Sequence, residues 1–278
     1  MKNEWKRILF QWICPLIVLF SVLAVLFADF SKTVNAGIAS NFEQNMQNEV
    51  ELYTEKLRQE IEKIHTVGEM ICSIASSGTG QPGEVKELLN LAVEQTEVYE
   101  ALVFRPDGSA ILHDGRVLLL NDANYYEWVS EATQFSYRYV SNDGITGTEA
   151  VLMIVPAEGQ GQKIVMYYPV QKIRSMINMK DAFGNATFIT LLDEKGRVIV
   201  TTDETSSFFK TRDFWNNADK PYLARATVAG QKAGDGQTGC LVFTVDGEER
   251  TVVYAPVHKW CLAAGVHQSY VNYMEQRQ

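Results

Sequence analysis

The sequence predicts an α+β protein in which an N-terminal membrane-spanning helix leads into a long spine helix and two antiparallel five-stranded units in tandem. Three observations predict it. The run ILFQWICPLIVLFSVLAVLFA, Ile8 to Ala28, carries no formal charge. Apolar residues then recur in steps of three and four as far as Ile74. Finally, one strand, turn and strand phrase occurs twice, as LVFRPDGSAILHDG from Leu102 to Gly115 and as TLLDEKGRVIVTTD from Thr190 to Asp203.

The first element follows from length. A helix rises about 1.5 Å per residue, so a run of this size crosses a hydrocarbon core of about 30 Å. Lys2, Lys6 and Arg7 precede it against the single acid Glu4, and Asp29 follows it. That excess of positive charge keeps residues 1–7 in the cytoplasm, makes 8–28 the membrane helix and places the bulk of the chain outside. A cleaved signal peptide is the rival reading, supported by small residues near Val34, Asn35 and Ala36. Its apolar core would be about 7–15 residues, shorter than this run, so an uncleaved single-pass anchor is expected.

Residues 29–76 form the expected spine. Ile38, Phe42, Met46, Val50, Tyr53, Leu57, Ile61, Ile64, Val67, Ile71 and Ile74 share one helical face. From Phe42 to Ile74 such a helix is a rod of roughly 48 Å, longer than one small domain is wide, so something two units tall must pack along it. A free coiled coil is the alternative, but the stripe mixes Ile, Phe and Tyr where an a/d seam would favour Leu.

SSGTGQPGE, Ser76 to Glu84, ends the rod with Gly and Pro, and a shorter helix with Val85, Leu88, Leu89, Ala92 and Val93 on one face follows. In the first unit, 77–180, strands are expected over 100–104, 110–113, 135–140, 150–156 and 162–168, with a short helix over 122–133. In the second, 181–270, they are expected over 188–192, 198–202, 238–245, 250–257 and 260–266, with a helix in TSSFFKTRDFWNNA. The order is the same in both, Pro156 and Pro256 match, and Asp246-Gly247 is a strong hairpin signal. The chain repeats itself because it is duplicated, with the long helix as shared spine.

Composition excludes several functions. With 46% hydrophobic and 21% charged residues the chain is ordinary for a globular protein. Its net charge of −9, with no run of Lys or Arg after residue 7, makes nucleic acid a poor partner. His65, His113, His258 and His267 are scattered, and no G-x-S-x-G, H-E-x-x-H or P-loop motif occurs, so no catalysis is expected in this region. Of the four cysteines, Cys14 lies in the membrane run and Cys72 in a helical pattern; Cys240 and Cys261 read as buried thiols, a disulfide between them being the lesser alternative. His258 and Cys261 in HKWC lack a second ligand cluster, so neither a metal site nor a cofactor is expected.

The whole order resembles the double Cache extracellular sensors of bacteria. The resemblance spans about residues 30–270: membrane helix, spine helix, then two units with a D-x-x-G-x-V-I turn (Asp193, Gly196, Val198, Ile199) and a terminal P-V-x-x-W-x-L (Pro256, Val257, Trp260, Leu262). It implies two PAS-like units, the first membrane-distal and the second membrane-proximal, sensing a ligand and reporting through the membrane. The output would be a histidine kinase, diguanylate cyclase or chemoreceptor domain, none of which these residues contain. It also implies that residues 271–278 begin the return toward a second membrane helix, and that a homodimer forms through the spine. The alternative from another class is a membrane-anchored envelope interaction or scaffold protein with no ligand; a second membrane helix and a signalling domain directly downstream would favour the receptor.

In such sensors the ligand sits in the membrane-distal unit. Members that bind amino acids hold the carboxylate with Arg and Trp of an R-x-W-Y helix and the amine with an Asp on the last strand. Here Trp128 matches, Tyr126 stands for the Arg, Val129 for the Tyr and Tyr168 for the Asp. Without those charges a zwitterion would be desolvated uncompensated, which favours a flat or cationic metabolite over an α-amino acid. The expected ligand-binding residues are Trp128, Tyr126, Tyr125, Tyr139, Asp143 and Tyr168, an aromatic wall with one acid. Any one of these rings could equally belong to a core or a sheet surface.

Overall fold

The computed structural model describes residues 2–76, 82–120, 123–157, 161–178, 187–202 and 213–267. The chain divides into an N-terminal stretch ending at Met46 and one compact body, Gln47 to His267, that holds both sheet units. Helix α1, Lys2–Ser76, is uninterrupted, so the boundary expected at residue 28 is not a break in the backbone. The side chains of 8–18, half of the expected membrane run and including Cys14, lie outside the described residues. Among the described residues no helix is long and apolar enough to cross a membrane.

The apolar stripe of the spine is realised where the compact body begins. Met46, Val50, Leu57, Ile61, Ile64 and Ile71 are buried, whereas Ile74 at the end of the helix is exposed. Small side chains set the approach: a Cβ on Gly68 would stand 2.5 Å from Val155 Cγ2 and 2.8 Å from Met166 Cε. One turn further on, the Cys72 thiol donates to the Val155 carbonyl at 3.4 Å. The same helix reaches the second sheet, where Arg58 Nη2 donates to the Pro256 carbonyl at 3.2 Å and Glu62 Oε1 lies 3.3 Å from His258 Nε2. One spine therefore serves both sheets.

Helix α2, Pro82–Gln95, leads into the first sheet, which has six strands rather than the five expected. They are β1 Glu100–Phe104, β2 Ser109–Leu112, β3 Val117–Leu119, β4 Ser136–Val140, β5 Ala150–Pro156 and β6 Lys163–Pro169, in the antiparallel order β3-β2-β1-β6-β5-β4. The unexpected β3 is a three-residue edge strand turned back by Gly115 at φ +89°, with Val117 and Leu119 exposed, so burial gave it no alternating pattern. Helix α3, Tyr126–Glu131, lies between β3 and β4 in the chain, and α4, Val170–Met176, follows β6.

The second sheet has the five strands expected: β7 Thr187–Leu192, β8 Val198–Thr201, β9 Gly239–Val245, β10 Glu248–Val257 and β11 Trp260–His267, in the order β8-β7-β11-β10-β9. Setting β3 aside, the two orders are the same, and the duplication read from the sequence is a duplication of topology. Asp246 (φ 51°) and Gly247 (φ 78°) both take the left-handed conformation that a two-residue hairpin between β9 and β10 requires. The helix expected over 205–218 lies largely outside the described residues, whose remainder holds a 3₁₀ turn at Trp215–Asn217. Helix α5, Lys220–Gly234, was not expected. Its buried face is Ala226, Ala229 and Ala233, too small to register as a hydrophobic stripe.

Those alanines let α5 close on a filled interior. The Trp215 ring lies edge-on to Phe214 at 4.9 Å and to Tyr254 at 5.5 Å, and a Cβ on Gly196 or Gly230 would fall 2.5 or 2.8 Å from its Cδ1. Cys240 on β9 and Cys261 on β11 are separated by β10 and stand as thiols, without the bridge. Burial pushes the Cys261 thiol up to about 12.

Candidate ligand cleft

The first unit keeps its chemistry on the sheet face away from the spine. Side chains alternate along a strand, so on β6 Val165 and Tyr167 join the core beneath α3 while Met166 and Tyr168 face the spine. Tyr167, Tyr125 and Tyr99 gather around Asp143, which is fully buried. Tyr99 donates to Asp143 Oδ2 at 2.6 Å, Tyr125 donates to the Asp143 carbonyl, and the Tyr125 and Tyr167 hydroxyls lie 3.1 Å apart.

Asp143 also orders its own loop, because Oδ1 accepts from the amides of Ile145, Thr146 and Gly147 at 2.8–2.9 Å. Burial works against the ionised carboxylate, but the hydrogen bonds from Thr146, Tyr99 and the backbone outweigh it and hold Asp143 below the usual aspartate range. Burial likewise pushes Tyr99 and Tyr167 well above the ordinary phenol value, so the cluster is neutral hydroxyls on one carboxylate.

Beside this cluster opens a cleft of about 510 Å³ between the two sheets. One wall is α3 and the edge strand β4, presenting Tyr125, Trp128, Arg138 and Tyr139; the other is the β7–β8 turn, Asp193 to Arg197, together with Lys259 and Trp260. Tyr137 pins the walls together. Its ring meets Trp260 edge-on at 4.6 Å, and its hydroxyl lies 3.3 Å from both the Val257 carbonyl and the Lys259 amide.

Among the described residues, six charged side chains line the cleft. Asp193 is engaged by Arg197, with Oδ2 2.6 Å from Nη2, and Glu194 lies 3.7 Å from Lys259 Nζ. The Arg138 guanidinium stands 5.9 Å from the centre of the Trp128 ring. Among the described residues neither Arg138 nor Lys195 has an acidic partner within ion-pair distance.

The six residues expected from sequence divide three ways. Trp128, Tyr125 and Tyr139 line the cleft, and the Tyr139 hydroxyl donates to Glu149 Oε2 at 3.2 Å. Asp143 sits behind Tyr125 as an organiser of the loop, and Tyr126 packs on Phe104 with ring centres 5.7 Å apart. Tyr168 is on the opposite face, beside Leu57, Glu60 and Ile61 of the spine, and its neighbour Tyr167 is buried in the core beneath α3. Arg138, Lys195 and Lys259 also line the cleft and were not among the expected residues. Alternation along β4 could have indicated Arg138, which follows the buried Tyr137; nothing local to the β7–β8 turn shows that it faces the other unit.

Two antiparallel sheets on one spine helix are a fold that this chain shares with solved sensory domains of bacterial receptors. No protein-family model matches the sequence and no curated protein matches it. Solved structures do share its fold. The ligand-binding domain of the Pseudomonas aeruginosa PAO1 amino acid chemoreceptor PctB in complex with L-Arg has a TM-score of 0.64 at 13% identity, over 83% of this chain and 97% of that one. The sensory domain of the Campylobacter jejuni chemoreceptor Tlp3 with isoleucine bound has a TM-score of 0.63 at 8% identity, over 86% and 98%. The extracellular domain of the putative histidine kinase rpHK1S-Z16 has a TM-score of 0.65 at 15% identity, over 84% and 97%.

These structures overturn one expectation. The sequence favoured a flat or cationic metabolite over an α-amino acid, yet the similar ligand-bound domains hold isoleucine, L-Arg and L-valine. The argument against a zwitterion assumed that charge could come only from the motif positions Tyr126 and Tyr168. Arg138 and Lys195 reach the cleft from elements outside that motif.

Proposed function

We propose that this chain is the extracellular sensing region of a bacterial membrane receptor and that it binds a small α-amino acid in the cleft between its two units. The observation that carries the reading is the Trp128 and Arg138 wall: an aromatic face beside a guanidinium that has no acidic partner, within a fold whose similar members hold amino acids. A guanidinium binds a carboxylate bidentately, and the indole offers apolar area to the rest of the ligand. The second unit contributes the far wall only, because Trp215 occupies its own interior.

The uncharged run 8–28 anchors the domain, with residues 1–7 in the cytoplasm. Leu19, Phe20, Leu23, Leu26 and Phe27 are all exposed, an apolar surface suited to lipid. Ligand binding in the cleft biases the packing of the two units along α1, and the helix carries that change toward the membrane.

A thermal-shift panel of the twenty amino acids on the full chain tests the reading. A ligand at a hundred times its Kd adds about 2.7 kcal/mol to the stability of the folded state. At least one amino acid should raise the midpoint, and Arg138→Ala or Trp128→Ala should diminish that shift while leaving the ligand-free midpoint in place. The expected binding cost for Trp128→Ala is about 1–3 kcal/mol. A panel with no shift, or shifts unchanged by both substitutions, contradicts the proposal.

A further inference from the structure

Resting on the reading of the cleft as the ligand site, we infer that the cleft takes a short extended peptide, paired through its main chain to the outer edge of β4. The way β4 meets the cleft carries this. Side chains alternate along a strand: Tyr137 turns onto Trp260 with ring centres 4.6 Å apart, while Arg138 is on the other face, its guanidinium 5.9 Å from the centre of the Trp128 ring. Yet Tyr137, Arg138, Tyr139, Val140 and Ser141 all line the one cleft. A cavity lined by consecutive residues of a strand, from both of its faces, runs along the strand's edge.

β4 is the last strand of its sheet, and among the described strands β5 is its one neighbour. An outer edge presents main-chain N–H and C=O groups to whatever lies beside it, a template for one more strand. In peptide recognition by strand addition, main-chain bonds supply affinity and the two faces select side chains. β4 has such faces, Trp128 with Arg138 on one and Tyr137 with Tyr139 on the other. A free amino acid has no peptide bond to pair there. Across the cleft β8 also ends its sheet, but Arg197 bridges Asp213 and the Phe214 amide donates to the Gly196 carbonyl at 3.0 Å, so the chain itself covers the start of that edge. At the rise of a strand the five residues of β4 span about 16 Å and a tripeptide about 10 Å, and a cleft of about 510 Å³ is in the range that encloses ligands of that size. A second copy would bring a whole sheet behind its own edge strand, for which a cleft of this size has no room.

A thermal-shift panel on the full chain sets the twenty amino acids beside their twenty homotripeptides, and calorimetry follows the best of each. At least one tripeptide should bind at least tenfold tighter than its parent amino acid. N-methylation of one of its two peptide nitrogens should weaken it at least tenfold and of the other less than threefold, because a strand turns successive amides to opposite edges. Trp128→Ala should weaken the same tripeptide. Hydrogen exchange over residues 136–140 should slow only when tripeptide is bound; slow exchange of all five amides without it would give the edge to another segment or a second copy and overturn the inference. If tripeptides bind in this way and no free amino acid does, the inference stands and the single-amino-acid reading falls. If amino acids bind and no tripeptide is tighter than its parent, or the two methylations cost alike, or Trp128→Ala leaves tripeptide affinity unchanged, the inference falls and the amino-acid half of the panel decides the reading separately. If nothing in either half binds, both fall.

Discussion

Trp260→Ala should lower the unfolding free energy by about 3–5 kcal/mol, the cost of emptying a large buried site that closes incompletely. Trp260 is 3% exposed at the start of β11, where its ring receives Tyr137 from the first unit and lies between the second sheet and the spine. The cost therefore falls on the junction of the two units as well as on one core. Tyr137 depends on the same place, since its hydroxyl engages the backbone on both sides of the β10–β11 turn. Chemical denaturation followed by circular dichroism measures the change. A midpoint within error of wild type would mean that the two sheets are held without this contact.

Asp143→Ala should cost about 2–4 kcal/mol, because it leaves three loop amides and the hydroxyls of Tyr99 and Thr146 without their shared acceptor. The carboxylate also makes stability depend on pH, and the direction follows from its depressed pKa. An unfolded aspartate titrates near about 3.9, so the contribution of Asp143 is fully present above that value and is lost as pH falls through its lower folded pKa. Between about pH 5 and pH 2 the wild type should lose more stability than Asp143→Asn, which has no proton to take up there. Parallel slopes for the two proteins over that range would remove Asp143 from the account.

The sequence made the architecture readable because the fold rests on repetition. Gly108, Gly196 and Gly247 take positive φ in the turns where their residue type called for it, and the strand bounds between them fall within a few residues of expectation. What escaped was packed through small or exposed side chains. Helix α5 buries alanines and β3 buries almost nothing, so neither wrote a hydrophobic period.

The lining of the candidate cleft was half legible for a different reason. Trp128, Tyr125 and Tyr139 could be named because they belong to one unit and one short stretch of chain. Lys195 and Lys259 come from a unit encoded some sixty residues or more downstream and reach the cleft only because both sheets share α1. A one-residue step along β6 separates Tyr168 from the face beneath α3 and turns it to the spine.

The most direct test of the central claim is a structure of the chain with the amino acid that raises its melting midpoint most. The account predicts the bound molecule in the cleft, against the Trp128 ring, with a carboxylate within hydrogen-bond distance of the Arg138 guanidinium. A ligand enclosed behind Trp215 in the second unit, or one on the first unit that touches neither Trp128 nor Arg138, would contradict it.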